Sequence, residues 1–332
     1  MSRLIKIWEL GVSASCILAG AVGLGACSAP VEKSEVDVAG PSDQQQPLKG
    51  GNVTNAFGVV EINAPIPSTN KHSECTGSMI APNTVLTAAH CFDDLNIPKI
   101  AAATVEILYF DPMRGRRNVF SGTATITKNP AYDGTAIDDM ALITIPGVFS
   151  ETDYHDYKRL YAGSNWGLET DLRFYGAGIS ADDGTDDDNL RTHALTVEGV
   201  TPQGITTDNG NGIGTCHGDS GGPINLVAST SGHPDSLELV AGVLISSNVI
   251  FDSDVCASSN SWFGDDSYFN RPNRTSYLPW IEATIGHTCS TQLPGANVSY
   301  KRCFDLAFVE DIDFEGPTLG EELAMVQAMQ VL

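Results

Sequence analysis

The chemistry this sequence offers rests on a serine, a histidine and an aspartate that lie far apart in the chain. The serine stands in Gly218-Asp219-Ser220-Gly221-Gly222-Pro223. A serine hydroxyl is a weak nucleophile until a neighbouring base takes its proton. The carbonyl it attacks needs donors for the charge that develops on its oxygen, and backbone N–H groups already held in place suit that task. Glycines beside a serine let the chain turn sharply and bring such groups close to a substrate. The run therefore reads as a nucleophile built into its own oxyanion hole. Six such residues alone also fit a plain turn, so the decision rests on a base elsewhere. That base is His90, in Leu86-Thr87-Ala88-Ala89-His90-Cys91. Between base and nucleophile comes Asp139, in Asp138-Asp139-Met140-Ala141-Leu142-Ile143. An aspartate entering a buried strand is costly unless paired, and the imidazole of His90 is its natural partner. Asp138 beside it reads as part of a solvated turn.

These residues must be carried by strands. From Phe57 onward short apolar runs alternate with Gly, Pro, Asn and Asp, at 58–62, 104–110, 124–127, 140–145, 172–175, 195–200 and 239–245. Short, partly β-branched segments bounded by turn residues predict an all-β sandwich or barrel. Leu278-Pro279-Trp280-Ile281-Glu282-Ala283-Thr284-Ile285 reads as a short terminal helix.

Taken in order, Cys75-Thr76-Gly77-Ser78-Met79-Ile80, Thr87-Ala88-Ala89-His90-Cys91, Asp139-Met140-Ala141-Leu142-Ile143 and the Ser220 motif resemble the chymotrypsin/trypsin-like serine proteases. The order His, Asp, Ser is that family's and differs from other hydrolases built on the same three residues. The resemblance spans roughly residues 48–286. It implies two six-stranded antiparallel β-barrels closed by a short C-terminal helix, split near 150–166, with His90 and Asp139 on the first barrel and Ser220 on the second. It implies Ser220 as nucleophile, His90 as general base and then general acid, and Asp139 as the group that holds the histidine's tautomer. Gly218 and Ser220 would supply the oxyanion-hole N–H groups. The implied reaction is cleavage of peptide bonds in protein or peptide substrates, with no cofactor and no metal, by a monomer. An inactive relative acting as a binding module would keep the fold. Such proteins lose a triad residue or disturb the glycines, and here all are intact.

The same resemblance points to the primary pocket. Gly214 would form its floor, His217 its entrance, and Ser246 the start of the substrate-binding strand. Trypsin-like enzymes carry an aspartate where Gly214 stands, so a simple preference for Arg or Lys is not implied. Asp266, two residues before Tyr268, offers a carboxylate on the opposite wall; the other reading is an exposed acidic loop beside an open, apolar pocket.

Eight cysteines are present. Cys16 and Cys27 belong to the leader, and an even six in an exported chain suggests disulfides, with 15 connectivities open. The resemblance selects Cys75–Cys91 and Cys216–Cys256, which leaves Cys289 with Cys303. The spacings show no CxxC pair for zinc.

Residues 1–29 read as an export segment: Arg3 and Lys6 precede a small apolar run, short for a membrane span. Leu24-Gly25-Ala26-Cys27 resembles a bacterial lipobox, which would make Cys27 a lipidated first residue of an envelope protein; cleavage after Ala29 and secretion is the alternative. A polar spacer or propeptide follows at 30–47. The family's mature chains begin near Leu48, and their new α-amino group folds inward to the aspartate before the nucleophile, here Asp219. Lys49 and the absence of a preceding basic residue depart from that pattern. The chain holds 41 acidic against 18 basic residues, a formal charge of −23, which repels phosphate and excludes a general nucleic-acid binder. The acidic loop at 182–188 lacks the ligand spacing of an EF-hand. Residues 288–332 form an extension beyond the family's usual end.

Overall fold

A computed structural model describes residues 51–304 except 68, 70, 136, 153–155, 163–170, 179–187, 202–203, 209–214, 229–236, 248–266, 273–276 and 293–299. After the short strand β1 (Asn52–Thr54) come β2 (Val59–Pro65), β3 (His72–Ala81), β4 (Thr84–Thr87), β5 (Ile100–Asp111), β6 (Gly115–Lys128) and β7 (Ala141–Thr144). β2 to β7 close into a six-stranded barrel in the order β2-β3-β4-β7-β6-β5. Side chains alternate across a strand, and the inward set follows that period: Val60, Ile62 and Ala64 on β2, Val105, Ile107 and Tyr109 on β5, Ala141 and Ile143 on β7. Gly77 falls on the inward face of β3 because a Cβ there would lie 2.6 Å from Val85 and 2.8 Å from Ile62.

The second half contains β8 (Arg159–Tyr161), β9 (Asp171–Gly176), β10 (Leu190–Val200), β11 (Gly204–Asp208), β12 (Pro223–Ala228), β13 (Leu237–Ser247) and β14 (Ser267–Asn270). β9, β10, β11, β14, β13 and β12 pair antiparallel in that order, and β12 returns to β9. The ring is the second six-stranded barrel that the sequence predicts. Its core holds Leu172, Phe174, Leu195, Ile205, Ile224 and Phe269, with the rings of Phe174 and Phe269 edge to face at 5.7 Å.

The helix α1 (Tyr277–Ile285) starts with Pro279 in its first turn and ends at Gly286, whose φ of +82° favours glycine. It lays Tyr277 and Ile281, one turn apart, onto the outer face of the first barrel at Ile80, Leu86, Met140 and Leu142. β4 is therefore buried on both faces, with Val85 and Leu86 flanked by the buried Thr84 and Thr87.

The chain continues into β15 (Ser290–Gln292) and β16 (Tyr300–Arg302). This hairpin is tied by the Cys289–Cys303 disulfide and adds to the second sheet through β8. Phe304 then enters the core of the first barrel, 5.4 Å from the ring of Tyr157. The last described residues thus touch the connection between barrels as well as the first barrel's interior.

Every apolar run read as a strand lies largely within one, but the strands are longer. β5 and β6 form a hairpin of 12 and 14 residues. Its Gly115-Arg116-Arg117-Asn118 end carries two arginines, Arg116 paired with Glu61 and Arg117 with Asp111 and Glu151. Among the described residues no helix is long and apolar enough to cross a membrane, and residues 1–29, expected to be an export segment with Cys27, lie outside them.

Between the barrels a charged pair is buried. Lys158 Nζ reaches Glu238 Oε2 at 2.9 Å, with both side chains largely shielded. Glu238 also accepts from Tyr175 Oη at 2.5 Å, Asn225 Nδ2 at 3.2 Å and Arg173 Nη1 at 3.4 Å. The Lys158 backbone N–H donates to Met79 in the first barrel, whereas Glu238 stands on β13 of the second.

Candidate active site

β4 and β7 are antiparallel neighbours, with Thr87 opposite Ala141. The residues just after β4 and just before β7 therefore leave the barrel at the same end, which brings His90 and Asp139 together. Asp139 is buried, and its Oδ1 accepts the N–H groups of Ala89 at 2.6 Å and His90 at 2.9 Å. Its Oδ2 meets His90 Nδ1 at 2.6 Å. A carboxylate only accepts, so Nδ1 carries the proton and Nε2 is left as the basic nitrogen. The imidazole is one-third exposed. His90 begins a single turn of 3-10 helix, His90–Phe92, and Cys91 within it is bonded to Cys75.

The far side of that turn is fastened separately. Asp93 accepts from Lys128 Nζ at 2.7 Å and Tyr132 Oη at 2.6 Å, and buried Lys128 also reaches the Phe92 carbonyl at 3.4 Å. Burial, then the bond to Asp93 and the nearby charge of Asp139, push the Tyr132 phenol well above its ordinary value. It remains a neutral donor at any ordinary pH.

Ser220 is presented by the second barrel. Its carbonyl accepts the N–H of Thr76 at 2.8 Å, and the N–H of Gly221 donates to Leu244 on β13. Gly218 and Gly221 have φ of +93° and +81°, the left-handed region where a side chain is strained. A Cβ on Gly221 would also lie 2.0 Å from Thr87 Oγ1 and 2.4 Å from the Thr76 carbonyl. The serine loop thus rests directly on the strand that ends in His90. Buried Asp219 accepts N–H groups from Cys216 at 2.7 Å and Gly178 at 3.0 Å.

The other expected residues divide. His217 is exposed on the same loop as Ser220. Ser246 lies in β13 opposite Tyr268, two residues beyond Leu244, whose N–H and carbonyl pair with Gly222 and Gly221. Cys216 is disulfide-bonded, while Cys256, Gly214, Asp266, the acidic loop at 182–187 and Leu48 fall outside the described residues. Asp138 corrects the reading of a solvated turn. It is half-buried at φ +62°, and its Oδ1 accepts the Tyr277 hydroxyl at 2.6 Å. The start of the terminal helix is thereby tied to the residue before Asp139. A tyrosine separated from its acceptor by more than a hundred positions leaves no trace of the contact in local sequence. Tyr277→Phe should lower stability by about 1–2 kcal/mol through loss of this hydrogen bond to a carboxylate. Calorimetry would read this as a fall of about 2–8 °C in Tm.

Two antiparallel six-stranded barrels, a His–Asp couple at the end of one and a glycine-framed serine loop of the other laid against it, define a trypsin-like protein. Comparison with known proteins agrees. The family model described as Trypsin matches residues 56–263. Brachyurin of Leptuca pugilator is 29% identical over 181 residues, 48% of this chain and 73% of that protein. The chain belongs to the trypsin family, and by class it is a trypsin-like serine protease.

Proposed function

We propose that the protein is an exported serine endopeptidase working through Ser220, His90 and Asp139. His90 Nε2 takes the proton of the Ser220 hydroxyl as its oxygen bonds to the substrate carbonyl carbon. The oxyanion that forms is met by the N–H groups of Gly218 and Ser220. The tetrahedral intermediate collapses, His90 protonates the departing amine, and an acyl-enzyme remains on Ser220. Water, deprotonated by His90, then releases the acid. Asp139 keeps its charge throughout and stabilises the imidazolium. The observation that carries this reading is the three-fold hold of Asp139 on the His90 segment, set at the same end of β4 on which the Ser220 loop rests. Substrates are peptides or proteins, and Gly214, His217, Ser246 and Asp266 are the proposed pocket residues. Disulfides fit export. Cys27 is the proposed lipid anchor if the leader ends there.

The test is hydrolysis of a mixed peptide library by the mature protein, with Ser220→Ala as control, reading the residue before each cut. Cuts by the wild type alone are expected. Cuts after Arg or Lys assign Asp266 to the pocket, and cuts after apolar residues assign Gly214 to the floor of an open one. A folded, correctly processed wild type that cleaves nothing overturns the proposal and leaves a binding module.

A further inference from the structure

We infer that the hydroxyl of Thr76 is a positioning group for the oxyanion hole, gripping its loop from the opposite barrel; the inference rests on the proposed function. Thr76 is fully buried on β3 of the first barrel. Its Oγ1 donates to the Gly218 carbonyl at 2.8 Å and accepts the N–H of Ala177 at 2.9 Å. A hydroxyl has one proton, so the bond received from Ala177 leaves that proton for Gly218. The Thr76 backbone N–H holds the Ser220 carbonyl at 2.8 Å. One residue thus fixes the carbonyls of both residues whose N–H groups are the proposed oxyanion donors.

The grip matters because the loop has little else to stiffen it. Gly218 has no side chain and sits at φ +93°, and glycine alone gives the backbone access to many other conformations. The peptide after Gly218 is held at its N–H end by Cys216, since Asp219 N donates to the Cys216 carbonyl at 3.1 Å. Thr76 holds its carbonyl end. Behind, Gly178 packs so closely that a Cβ on either Gly178 or Gly218 would come within 2.4–2.6 Å of the other strand of the loop. Thr76 is itself fixed: its carbonyl accepts Thr87 Oγ1 at 2.8 Å, on the strand leading to His90. Thr76 therefore couples the histidine strand through its carbonyl, and the Ala177–Gly178 segment and the Ser220 loop through its hydroxyl. Without the hydroxyl the Gly218 carbonyl and the buried Ala177 N–H lose a partner, and the Gly218–Asp219 peptide keeps only its N–H bond to Cys216, which loosens the φ and ψ of Gly218 that aim the Gly218 N–H on the preceding peptide. An oxyanion donor works only when aimed before the reaction begins.

The test compares Thr76→Val, which keeps the shape and removes the hydroxyl, with Thr76→Ser, which keeps the hydroxyl. For each, kcat and KM are measured on one library-derived peptide. Binding is measured for a peptide aldehyde, which forms an oxyanion adduct with the serine, and for the matching peptide acid, which does not. Thr76→Val is expected to lower kcat and aldehyde affinity together by about 10- to 100-fold, less than the loss on deleting a donor outright. KM and peptide-acid affinity should stay within about twofold, and Thr76→Ser should recover kcat to within about threefold of wild type. Unchanged kcat in Thr76→Val, an equal loss in peptide-acid binding, or a serine variant as slow as the valine one overturns the inference. Should the valine protein not fold, Thr76→Cys, a weak donor of similar size, is judged by the same criteria. A wild type that cleaves nothing overturns the proposed function and this inference with it, whereas an active wild type with an unaffected Thr76→Val overturns the inference alone.

Discussion

Asp139→Asn is expected to fold normally and to lose about 10⁴ in kcat, the loss that the equivalent change produces in the family's template enzyme. Asp139 Oδ1 accepts two backbone N–H groups, from Ala89 and His90. The asparagine oxygen takes over both bonds, which places its NH₂ group against His90 Nδ1. That nitrogen must then accept, so the ring proton moves to Nε2. An imidazole protonated at Nε2 cannot take the Ser220 proton, and the base is lost although no atom need shift. Kinetics on one good peptide, with Tm as a fold control, would check this. A kcat within tenfold of wild type would sink the proposed mechanism.

The largest expected effect on stability lies away from the chemistry. Lys158→Met should destabilise the protein by about 3 kcal/mol or more, because it takes the nearer, buried cation from the Glu238 charge and leaves only the half-exposed Arg173, at 3.4 Å, beside it. For a protein of this size that is a fall of about 6 °C or more in Tm. Replacing both partners, in Lys158→Met/Glu238→Gln, should recover much of the loss, since an uncharged pair has no desolvation cost to meet. A double variant less stable than Lys158→Met would overturn this account. Acid acts on the same network. Burial alone would raise the Glu238 carboxyl, but Lys158, the Tyr175 hydroxyl and Arg173 outweigh it and hold it below its ordinary value. Burial pulls the Lys158 ammonium down while Glu238 opposes that pull, so the carboxylate with its several donors governs the behaviour in acid. A carboxyl lowered on folding contributes stability that is complete above its unfolded pKa and lost as pH falls through the folded one. Unfolding below the ordinary carboxylate range should therefore be steeper in wild type than in the double variant.

Much of this architecture was legible in the residues themselves. Short apolar, partly β-branched runs bounded by turn residues gave the strands, and the Ser220 and His90 motifs gave the candidate site. The Cys75–Cys91 bond matches the pairing the resemblance suggested, and Cys289–Cys303 is the pair left by elimination. What escaped reading is what depends on distant partners. Of β6 only 124–127 stands out as an apolar run, and its more polar first half gave no strand signal. Asp138 looked solvated because its donor, Tyr277, arrives from the other end of the chain. Lys158 and Glu238 are unremarkable alone and acquire meaning only when the barrels dock. Thr76 lay inside a recognised motif, yet nothing local shows that its hydroxyl faces Gly218.

The place of Phe304 sets the order in which the molecule can be completed. The first barrel's strands have all been synthesised once β7 has emerged, but its interior is closed by a ring that follows the entire second barrel, the helix and the last hairpin. At ordinary rates of translation, about 5–20 residues per second, that interval is roughly ten to thirty seconds. Until its end the ring that packs against Tyr157 is still missing. The packing of the first barrel is therefore completed only by residues that follow the second one. A chain released at the end of α1 would be missing part of a core formed mostly by residues far upstream.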